Sequence, residues 1–545
     1  MRFKYGNNDR LLNIRDEMQK YGKVFIMSLS CHAQLDWASP SRENPVKILF
    51  YSGMLEFRRN NRSTRDRFNR GNSRPNRNND RRDSSREPRG ECLTLRIEKM
   101  VQGGEGMARL EDGRVCFVAG ALPGELCKVR LTFQKKDFTK GRVVEVLEAS
   151  PDRVKPLCPL YGKCGGCSLQ HLASEKQAEY LEKVERENFK RLAHAELPED
   201  FVIHTGNAWG YRNRARVVFR GNSGYDGAAN RDGAAKRAVF GFRGEESNNI
   251  VPFEKCPVLT DGLNEFLCGP AATLLAGGSD RNSCGSNRIS GGREDSRRYS
   301  RDIDVNIFDN GAGEISFYYP GMHKSEFDAH AVSHVEIAGH KIEADSSVFF
   351  QSNLGLLPEL VNAVRKAVDE GLSSGKSSDA WLIDLFSGVG FFACILQDKF
   401  KKITTVEREE GCLKHAKVNL SVPTAFPKDS AASRDCAASC DSENRAASCA
   451  VENVSAPAED WLVENVVDVP ATLIVDPPRT GLPKEALTAI VNSSVNRLIY
   501  VSCDPVTLAR DFAKFSEAGF ALSHAEGFAF YPQTPHLEMM FVLDR

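Results

Sequence analysis

The chain has 545 residues, 41% of them hydrophobic, and a formal net charge of zero at pH 7. This length excludes one ordinary domain and predicts roughly three or four units, and the apolar content is enough for substantial cores. The zero average hides an asymmetry, because 12 arginines stand against four acidic residues between Arg58 and Arg89. Such a segment cannot bury enough apolar surface to fold alone. Its arginines either neutralise RNA phosphates or form a solvated tail with no fixed partner.

The 16 cysteines do not resemble a secreted disulfide framework, and no secretory leader is recognised at the start of the chain. We therefore expect a reducing cytoplasm, where clustered cysteines bind metal more often than they form disulfides. The most membrane-like run, AWLIDLFSGVGFFACILQ, contains Asp384 and two glycines and is bounded by turn signals. It predicts a buried strand, loop and helix rather than a bilayer span.

The N-terminal part divides into an extension and a small domain. Residues 1–53 show no usable periodicity, and Met54 is an alternative start for the chain. We predict that 1–90 is a disordered, arginine-rich extension. Short alternating runs follow, among them LTLRIEKMV, GRVCFVAG and GRVVEVLEA, separated by glycine turns. They predict a small antiparallel, OB-like β-barrel over 91–150.

A central α+β domain is predicted over 151–345. It begins with a cysteine-rich loop and a charged helix from about Ala173 to Ala193, and polar inserts interrupt it at 222–237 and 276–302. The run YRNRARVVFRG alternates arginines with apolar residues, which is typical of a strand with one basic face. This face is either part of an RNA-holding surface or an ordinary solvated strand face.

The cysteine-rich loop, CPLYGKCGGC, places Cys158, Cys164 and Cys167 in a C-x5-C-x2-C pattern. Its paired glycines let the backbone turn tightly enough for the thiolates to converge, and Cys256, in a short turn before a proline, is the best-placed fourth ligand. Four thiolates suit either tetrahedral zinc or a [4Fe–4S] cluster. The x5 spacing is looser than in most zinc sites, so it favours the cluster, in a structural or RNA-positioning role.

From about Ser347 helical patterns alternate with apolar strands, which predicts a parallel sheet and a Rossmann-like domain over 346–545. The stretch 421–457 contains near-repeats such as AASC and is interpreted as a low-complexity surface insertion, to whose cysteines we assign no role.

A glycine loop in WLIDLFSGVGFF ends the first apolar strand of this domain. Gly388 lies in that loop, and Glu407 follows 19 residues later, at the end of the next strand. A carboxylate in that position can accept both hydroxyls of a ribose. Because only GVG is present, and not the full GxGxxG, an adenosyl group without a pyrophosphate fits better than NAD. S-adenosylmethionine is therefore the predicted cofactor.

Two further strands end in chemically informative residues. Asp476 lies in IVDPPRTG and Cys503 in VSCDP, while Glu538 lies in the late segment PHLEMM. A DPP loop also occurs in amino-group methylases, but an arginine follows it here instead of an aromatic residue. Cys503 suits carbon methylation, in which a thiolate adds to C6 of uracil and makes C5 nucleophilic. Asp476 would then bind the polar edge of the ring and Glu538 would remove the C5 proton, with His536 as a competing base.

Taken together, DLFSGVGFF, IVDPPRTG, VSCDP and HLEMM resemble the motifs of the RNA uracil-5-methyltransferases. The barrel, now interpreted as a TRAM domain, and the cysteine loop resemble the 23S ribosomal RNA branch rather than the transfer RNA branch. The likeness covers about 91–545 apart from the inserts. It implies catalysis by Cys503 and Glu538. It further implies an S-adenosylmethionine site formed by Gln351, Phe386, Gly388, Glu407 and Asp476, and a [4Fe–4S] site formed by Cys158, Cys164, Cys167 and Cys256.

The chain departs from the family pattern at two places. Phe391 stands where the family often has asparagine after the glycine loop, so one cofactor contact is lost or replaced. The 421–457 insertion hides a polar residue that is expected between Glu407 and Asp476.

The favoured interpretation is a cytoplasmic, monomeric enzyme that methylates an unpaired or flipped uridine of ribosomal RNA and does not bind a membrane. Three alternatives remain open: methylation of transfer RNA, a catalytically inactive RNA-binding or assembly factor, and an electron-transfer protein. The barrel and cysteine loop oppose the first. The intact Cys503 and cofactor loop oppose the second, and the lack of a flavin or nicotinamide motif opposes the third.

Overall fold

A computed structural model describes residues 91–220, 239–245, 247–269, 302–375, 379–421 and 449–545. Contacts group these residues into one unit, Glu87–Arg545. The predicted extension, the first insert and most of the other two lie outside the described residues. No helix within the described ranges has both the length and the apolar character that a membrane crossing requires.

The N-terminal domain is a six-stranded sheet. Its strands are β1 Cys92–Arg96, β2 Lys99–Met100, β3 Gly106–Arg109, β4 Val115–Ala119, β5 Leu126–Gln134 and β6 Phe138–Glu148. They follow the order β1-β5-β6-β4-β3-β2 around a core that includes Ile97, Val118 and Val129. The prediction of a wholly antiparallel barrel is wrong for one pair, because β4 and β6 run parallel. The chain reverses twice between these two strands, through β5, so β6 returns in the direction of β4.

The middle of the chain contributes three helices and eight strands to the described structure. These are α1 Ser174–Ala193, β7 Val202–His204, β8 Arg214–Arg220, β9 Val239–Arg243, β10 Ile250–Pro252, α2 Asp261–Cys268, β11 Ile303–Asp309, β12 Ile315–Tyr318, α3 Lys324–His330, β13 Val332–Ile337 and β14 His340–Asp345. Five strands form an antiparallel sheet in the order β10-β9-β8-β11-β12, and β13 pairs with β14. The predicted charged helix is confirmed as α1.

Strand β8 carries the predicted basic face. Arg216 and Arg220 are exposed, as the alternation predicts. Each of them pairs with an aspartate that lies in, or directly before, the neighbouring strand β11. Asp304 contacts Arg216, and Asp302 contacts Arg220 at 2.8 Å. Arg214 points inward and donates to the carbonyl of Val348. The alternation is therefore confirmed, whereas both exposed arginines of the strand are paired with aspartates.

The C-terminal domain contains the following elements: α4 Leu357–Ser373, β15 Trp381–Leu385, α5 Phe391–Ile395, a 3-10 turn Gln397–Lys399, β16 Lys402–Glu407, α6 Glu410–Ser421, β17 Ala450–Ser455, α7 Ala458–Glu464, β18 Ala471–Val475, α8 Lys484–Val491, β19 Val495–Ser502, α9 Pro505–Glu517, β20 Ala521–Phe528 and β21 Glu538–Asp544. Its sheet has the order β17-β16-β15-β18-β19-β21-β20-β7. The strands from β17 to β19 are parallel, and β21 is antiparallel to both neighbours. Hydrophobic clusters pack on both faces, so the predicted Rossmann-like alternation is confirmed.

Two sequence-derived boundaries differ from the structure. Strand β7 belongs to the predicted central domain, yet it pairs parallel with β20 and extends the C-terminal sheet. Helix α1 packs beside that sheet as well, with the rings of Phe189 and Phe512 5.0 Å apart. The end of the predicted 421–457 insertion forms β17, which pairs parallel with β16. This strand has only six residues, AVENVS, of which half are polar, and it directly follows the near-repeats. Such a short mixed run gives too weak a pattern to predict a strand.

Candidate active site

The carboxyl ends of four parallel strands place the predicted residues at one edge of the sheet. Phe386 follows β15, Glu407 ends β16, Asp476 follows β18 and Cys503 follows β19. Because β21 is antiparallel to β19, its first residue lies at the same edge, where Ser502 pairs with Met539. Glu538 therefore lies beside Cys503. In α/β sheets this edge is the usual place for ligands.

The glycine loop turns sharply through left-handed backbone conformations. Phe386 has a φ of 59°, which is costly for a bulky residue, and Gly390 has a φ of 75°. A Cβ atom at Gly390 would lie 3.1 Å from Ala416 Cβ, so helix α6 packs too closely for a larger residue. The Gly388 amide donates to Glu407 Oε2 at 2.9 Å. The glycine loop and the acidic strand end are therefore in direct contact.

The predicted cofactor region contains buried oxygens that lack partners among the described residues: Gln351 Oε1, Asp384 Oδ1 and Ser387 Oγ. Burial raises the pKa of Asp384 to about 8, and the carboxyls of Asp476 and Glu407 add to that rise. Unpaired buried acceptors are costly, so they fit a site that is completed by a polar ligand. The polar groups required by an adenosyl cofactor are therefore present.

The sequence departures have structural counterparts. Phe391 is 8% exposed, and its ring packs 6.0 Å from Phe350 and 5.3 Å from Phe392. Its side chain belongs to the hydrophobic core and does not supply a polar contact. Ser455, the last residue of β17, pairs with Glu407. It is a polar residue at a strand end between Glu407 and Asp476, within the stretch that the sequence presented as an insertion.

A cavity of about 180 Å³ opens at Cys503. Its walls include Arg479, His536 and Leu537. Sequence reasoning gave Arg479 no role. A larger cleft of about 500 Å³ contains none of the predicted residues, and its Arg497 is already held by Asp544 at 2.6 Å. The smaller cavity is therefore the candidate substrate site.

Burial and neighbouring charged groups change the pKa of the Cys503 thiol. Burial, together with the carboxyls of Glu538 and Asp476, raises the pKa of Cys503 to about 11, and Arg479 opposes this rise. Burial and the proximity of Asp476 raise the pKa of Glu538, and burial raises that of Asp476. In the free protein at neutral pH the thiol and at least one carboxyl therefore carry protons. Of the two candidate bases, Glu538 acts on the Cys503 thiol, while His536 lines the same cavity as Cys503.

Asp511 supports the two loops that carry Asp476 and Cys503. Its Oδ2 accepts hydrogen bonds from the Leu482 amide at 2.9 Å and from the Tyr500 hydroxyl at 2.8 Å. Leu482 follows the DPPRTG loop, and Tyr500 lies in β19 just before Cys503. One buried carboxylate thus holds both loops in register.

The segment before Glu538 is held through Gln533, which is fully buried and has a φ of 71°. The Gln533 amide donates to Gln177 Oε1 at 2.9 Å. Its carbonyl accepts from the Ser168 and Leu169 amides, at 3.0 and 2.9 Å, directly after the cysteine loop. This contact joins the cysteine loop and α1 to the segment that carries the predicted base, a link that no local sequence pattern reveals.

The four predicted metal ligands are half-buried free thiols that lie in one neighbourhood. Burial raises the pKa values of Cys164, Cys167 and Cys256, and neighbouring thiols of the set raise them further. Cys158 is one of these neighbours, since it acts on both Cys164 and Cys256. Even so, the described residues contain no group of three or more His, Cys, Asp or Glu side chains arranged to hold a metal ion.

Comparisons with known proteins agree with this geometry. The family model described as tRNA (Uracil-5-)-methyltransferase matches residues 466–545, and the TRAM domain model matches 86–144. The match to 466–545 includes Asp476, Cys503 and Glu538.

Full-length relatives are similar over most of the chain. The protein named 23S rRNA (uracil(1939)-C(5))-methyltransferase RlmD from Methylococcus capsulatus is 30% identical over 84% of this chain and 97% of its own length. The protein of the same name from Chromohalobacter salexigens is 30% identical over 83% of this chain and 89% of its own length.

A crystal structure of Pyrococcus abyssi tRNA (uracil-54, C5)-methyltransferase in complex with S-adenosyl-L-homocysteine has the same fold. It aligns with a TM-score of 0.56 at 19% identity, over 83% of this chain and 99% of that one. Together with the sequence relatives, this likeness assigns the family: the chain belongs to the S-adenosylmethionine-dependent RNA uracil-5-methyltransferases.

Proposed function

We propose that this protein transfers a methyl group from S-adenosylmethionine to C5 of a uridine in 23S ribosomal RNA. The observation that carries the proposal is the meeting of Cys503, Asp476 and Glu538 at one sheet edge, beside the glycine loop. The ribosomal substrate is favoured by relatives that carry that name over nearly their whole length.

Cys503 is the proposed nucleophile. Its thiolate adds through Sγ to C6 of the uracil ring, which makes C5 nucleophilic. The cofactor supplies an electrophilic methyl group for C5. Glu538 then accepts the C5 proton, the ring double bond re-forms, and the bond between C6 and Sγ breaks to release the Cys503 thiolate.

The raised pKa of Cys503 means that its proton must leave before the addition step. The neighbouring carboxyls oppose the thiolate when they are ionised, and Arg479 favours it. Burial raises the pKa of both carboxyls, and we assign the proton to Asp476 because Glu538 must be ionised to accept the C5 proton. The protonated Asp476 removes one negative charge and presents an O–H donor to the polar edge of uracil. Asp476 would thus orient the base and help to stabilise the charge that develops on the ring.

The S-adenosylmethionine site is proposed to use Gln351, Phe386, Gly388, Glu407 and Asp476. Gln351 and the glycine loop supply polar atoms, and each oxygen of Glu407 keeps acceptor capacity beyond its bond to a backbone amide. Phe386 would pack against the cofactor from its strained position at the end of β15. The chain's own residues therefore bind and orient the methyl donor beside Cys503.

We propose that Cys158, Cys164, Cys167 and Cys256 hold a [4Fe–4S] cluster. The support is a set of four half-buried thiols without disulfides, each close enough to others of the set to affect them. The C-x5-C-x2-C spacing, which is looser than in most zinc sites, favours the cluster over zinc. Bound there, it would brace the loop that continues to Ser168 and thereby Gln533.

Metal analysis tests this assignment without any assay of activity. Protein purified without oxygen should be brown, absorb broadly in the visible and contain iron and sulfide. Colourless protein with one zinc per chain would overturn the cluster.

Transfer RNA is the second candidate substrate, because both the C-terminal family model and the solved relative are named for it. Incubation with labelled S-adenosylmethionine and unmodified 23S ribosomal RNA or transfer RNA, followed by mapping of the methylated nucleotide, separates the two. Label on C5 of a 23S uridine is the expected result. Label on transfer RNA alone would overturn the ribosomal assignment, and label on neither RNA would favour an inactive binding factor.

A further inference from the structure

The turn between β2 and β3 of the TRAM domain forms part of the wall of the Cys503 cavity. Gln102 and Gly103, at the tip of this turn, line the cavity together with Cys503 and His536. The turn is closed by hydrogen bonds from the Gly104 amide to the Val101 carbonyl and from the Val101 amide to the Glu105 carbonyl, both 3.0 Å. The RNA-binding domain therefore reaches the reactive centre itself.

Close packing holds the turn against the segment before Glu538. A Cβ atom at Gly104 would lie 2.9 Å from Leu169 Cδ2 and 3.3 Å from Pro535 Cβ. Gly104 has a φ of 75°, which adds a second reason for glycine at this position. Gln102 is thus attached to a turn that is fixed relative to the cavity.

The orientation of the Gln102 amide follows from its partners. Arg191 has only donors, and it donates to Asn188 Oδ1 at 3.3 Å. Asn188 must therefore present its amino group to its other neighbours, and Nδ2 donates to Gln102 Oε1 at 3.0 Å. Gln102 is left with its own amino group, Nε2, which has no acceptor among the described residues.

We propose that Gln102 Nε2 donates a hydrogen bond to a carbonyl oxygen of the target uracil, which makes Gln102 a specificity-determining residue. This inference rests on the proposed function. Uracil offers two carbonyl oxygens. Asp476 lies at the same sheet edge as Cys503, whereas Gln102 belongs to the TRAM domain, so the two proposed contacts to the base come from different domains. The base is then held by contacts from the TRAM domain and the C-terminal domain together. Productive binding therefore requires both domains to be correctly positioned around it.

A protein-by-RNA mutant cycle tests the contact. The variants are Gln102→Glu, which keeps an oxygen for Asn188 and removes the donor, and Gln102→Ala. Gln134→Ala, at an exposed position of the same domain, is the matched control. The RNA is a 23S fragment spanning the mapped uridine, either intact or with that nucleotide replaced by an abasic site.

We expect each Gln102 variant to bind the intact RNA about tenfold more weakly, as the loss of one buried hydrogen bond implies. Affinity for the abasic RNA should not change, and Gln134→Ala should match the parent on both RNAs. Equal losses on intact and abasic RNA would place the contact on the backbone and overturn the inference, as would no loss on either.

Failure of the inference can be distinguished from failure of the proposed function. If the parent protein methylates the uridine while the Gln102 variants bind and turn over normally, only the inference fails. If the parent protein transfers no methyl group to any uridine, the proposed function fails first. Thermal unfolding of all variants, expected to be unchanged, confirms that the differences arise at the site.

Discussion

Two groups of cysteines in this protein show how surroundings decide the use of a thiol. Cys503 lies at the end of a strand, and the groups that shift its pKa after burial are three carboxyls and an arginine. The loop thiols lie among one another, and Cys164 and Cys167 are each shifted by other cysteines of the loop. A thiol beside proton acceptors suits covalent catalysis, whereas several neighbouring thiols suit a metal centre.

The largest effect is expected from Cys503→Ala. Loss of the nucleophile removes the only proposed route to an activated C5, so methyl transfer should fall by on the order of 10³-fold or more. RNA affinity should remain close to that of the parent protein, because the substitution removes one small side chain. Labelled-cofactor turnover and RNA binding measure the two quantities, and undiminished turnover would contradict the assignment.

Glu538→Gln should lower turnover by on the order of 10²- to 10⁴-fold, as expected when a catalytic base is removed. Because methylation precedes proton removal, the methylated base should stay attached to Cys503 as a covalent adduct. Denaturing electrophoresis detects it. His536→Ala is the matched control, since His536 lines the Cys503 cavity and is the competing candidate base. An adduct in the histidine variant, and none in Glu538→Gln, would make His536 the base.

Cys164→Ala should affect the other cysteine group. Loss of one of four thiolates should reduce bound iron from about four per chain to near background and lower the thermal unfolding temperature. Cys92→Ser, at an exposed cysteine of the TRAM domain, should keep the full iron content. Alkylation of Cys503 should proceed at the parent rate in both, and equal iron in both variants would remove Cys164 from the ligand set.

The smallest effects concern the pKa of Cys503 itself. Alkylation of the Cys503 peptide, followed by mass spectrometry against pH, should show a midpoint near the pKa of about 11. Arg479→Ala should raise this midpoint, because the guanidinium favours the thiolate, and Glu538→Gln should lower it, because a neighbouring negative charge is removed. Shifts of the opposite sign would show that these groups do not face the thiol.

The sequence predicted the C-terminal domain well, because long apolar strands and the motifs at their ends carry both fold and chemistry. It assigned Glu407 and Gly388 to one cofactor site, and in the structure the Gly388 amide donates a hydrogen bond to that carboxylate. It missed β17, because half of the residues in this short strand are polar and the strand directly follows the near-repeats. It also missed the Gln533 contact and the position of Gln102, which depend on segments far apart in the chain. Local patterns do not carry such long-range packing.

Covalent attack by Cys503 on the target base is tested most directly with RNA in which 5-fluorouridine replaces the target uridine. Fluorine at C5 cannot leave as a proton, so the final elimination is blocked after the methyl group has been added. We expect a stable protein–RNA adduct that carries the methyl group, with the attachment mapped to Cys503 by mass spectrometry. Methylation without an adduct, or an adduct on another residue, would contradict this expectation.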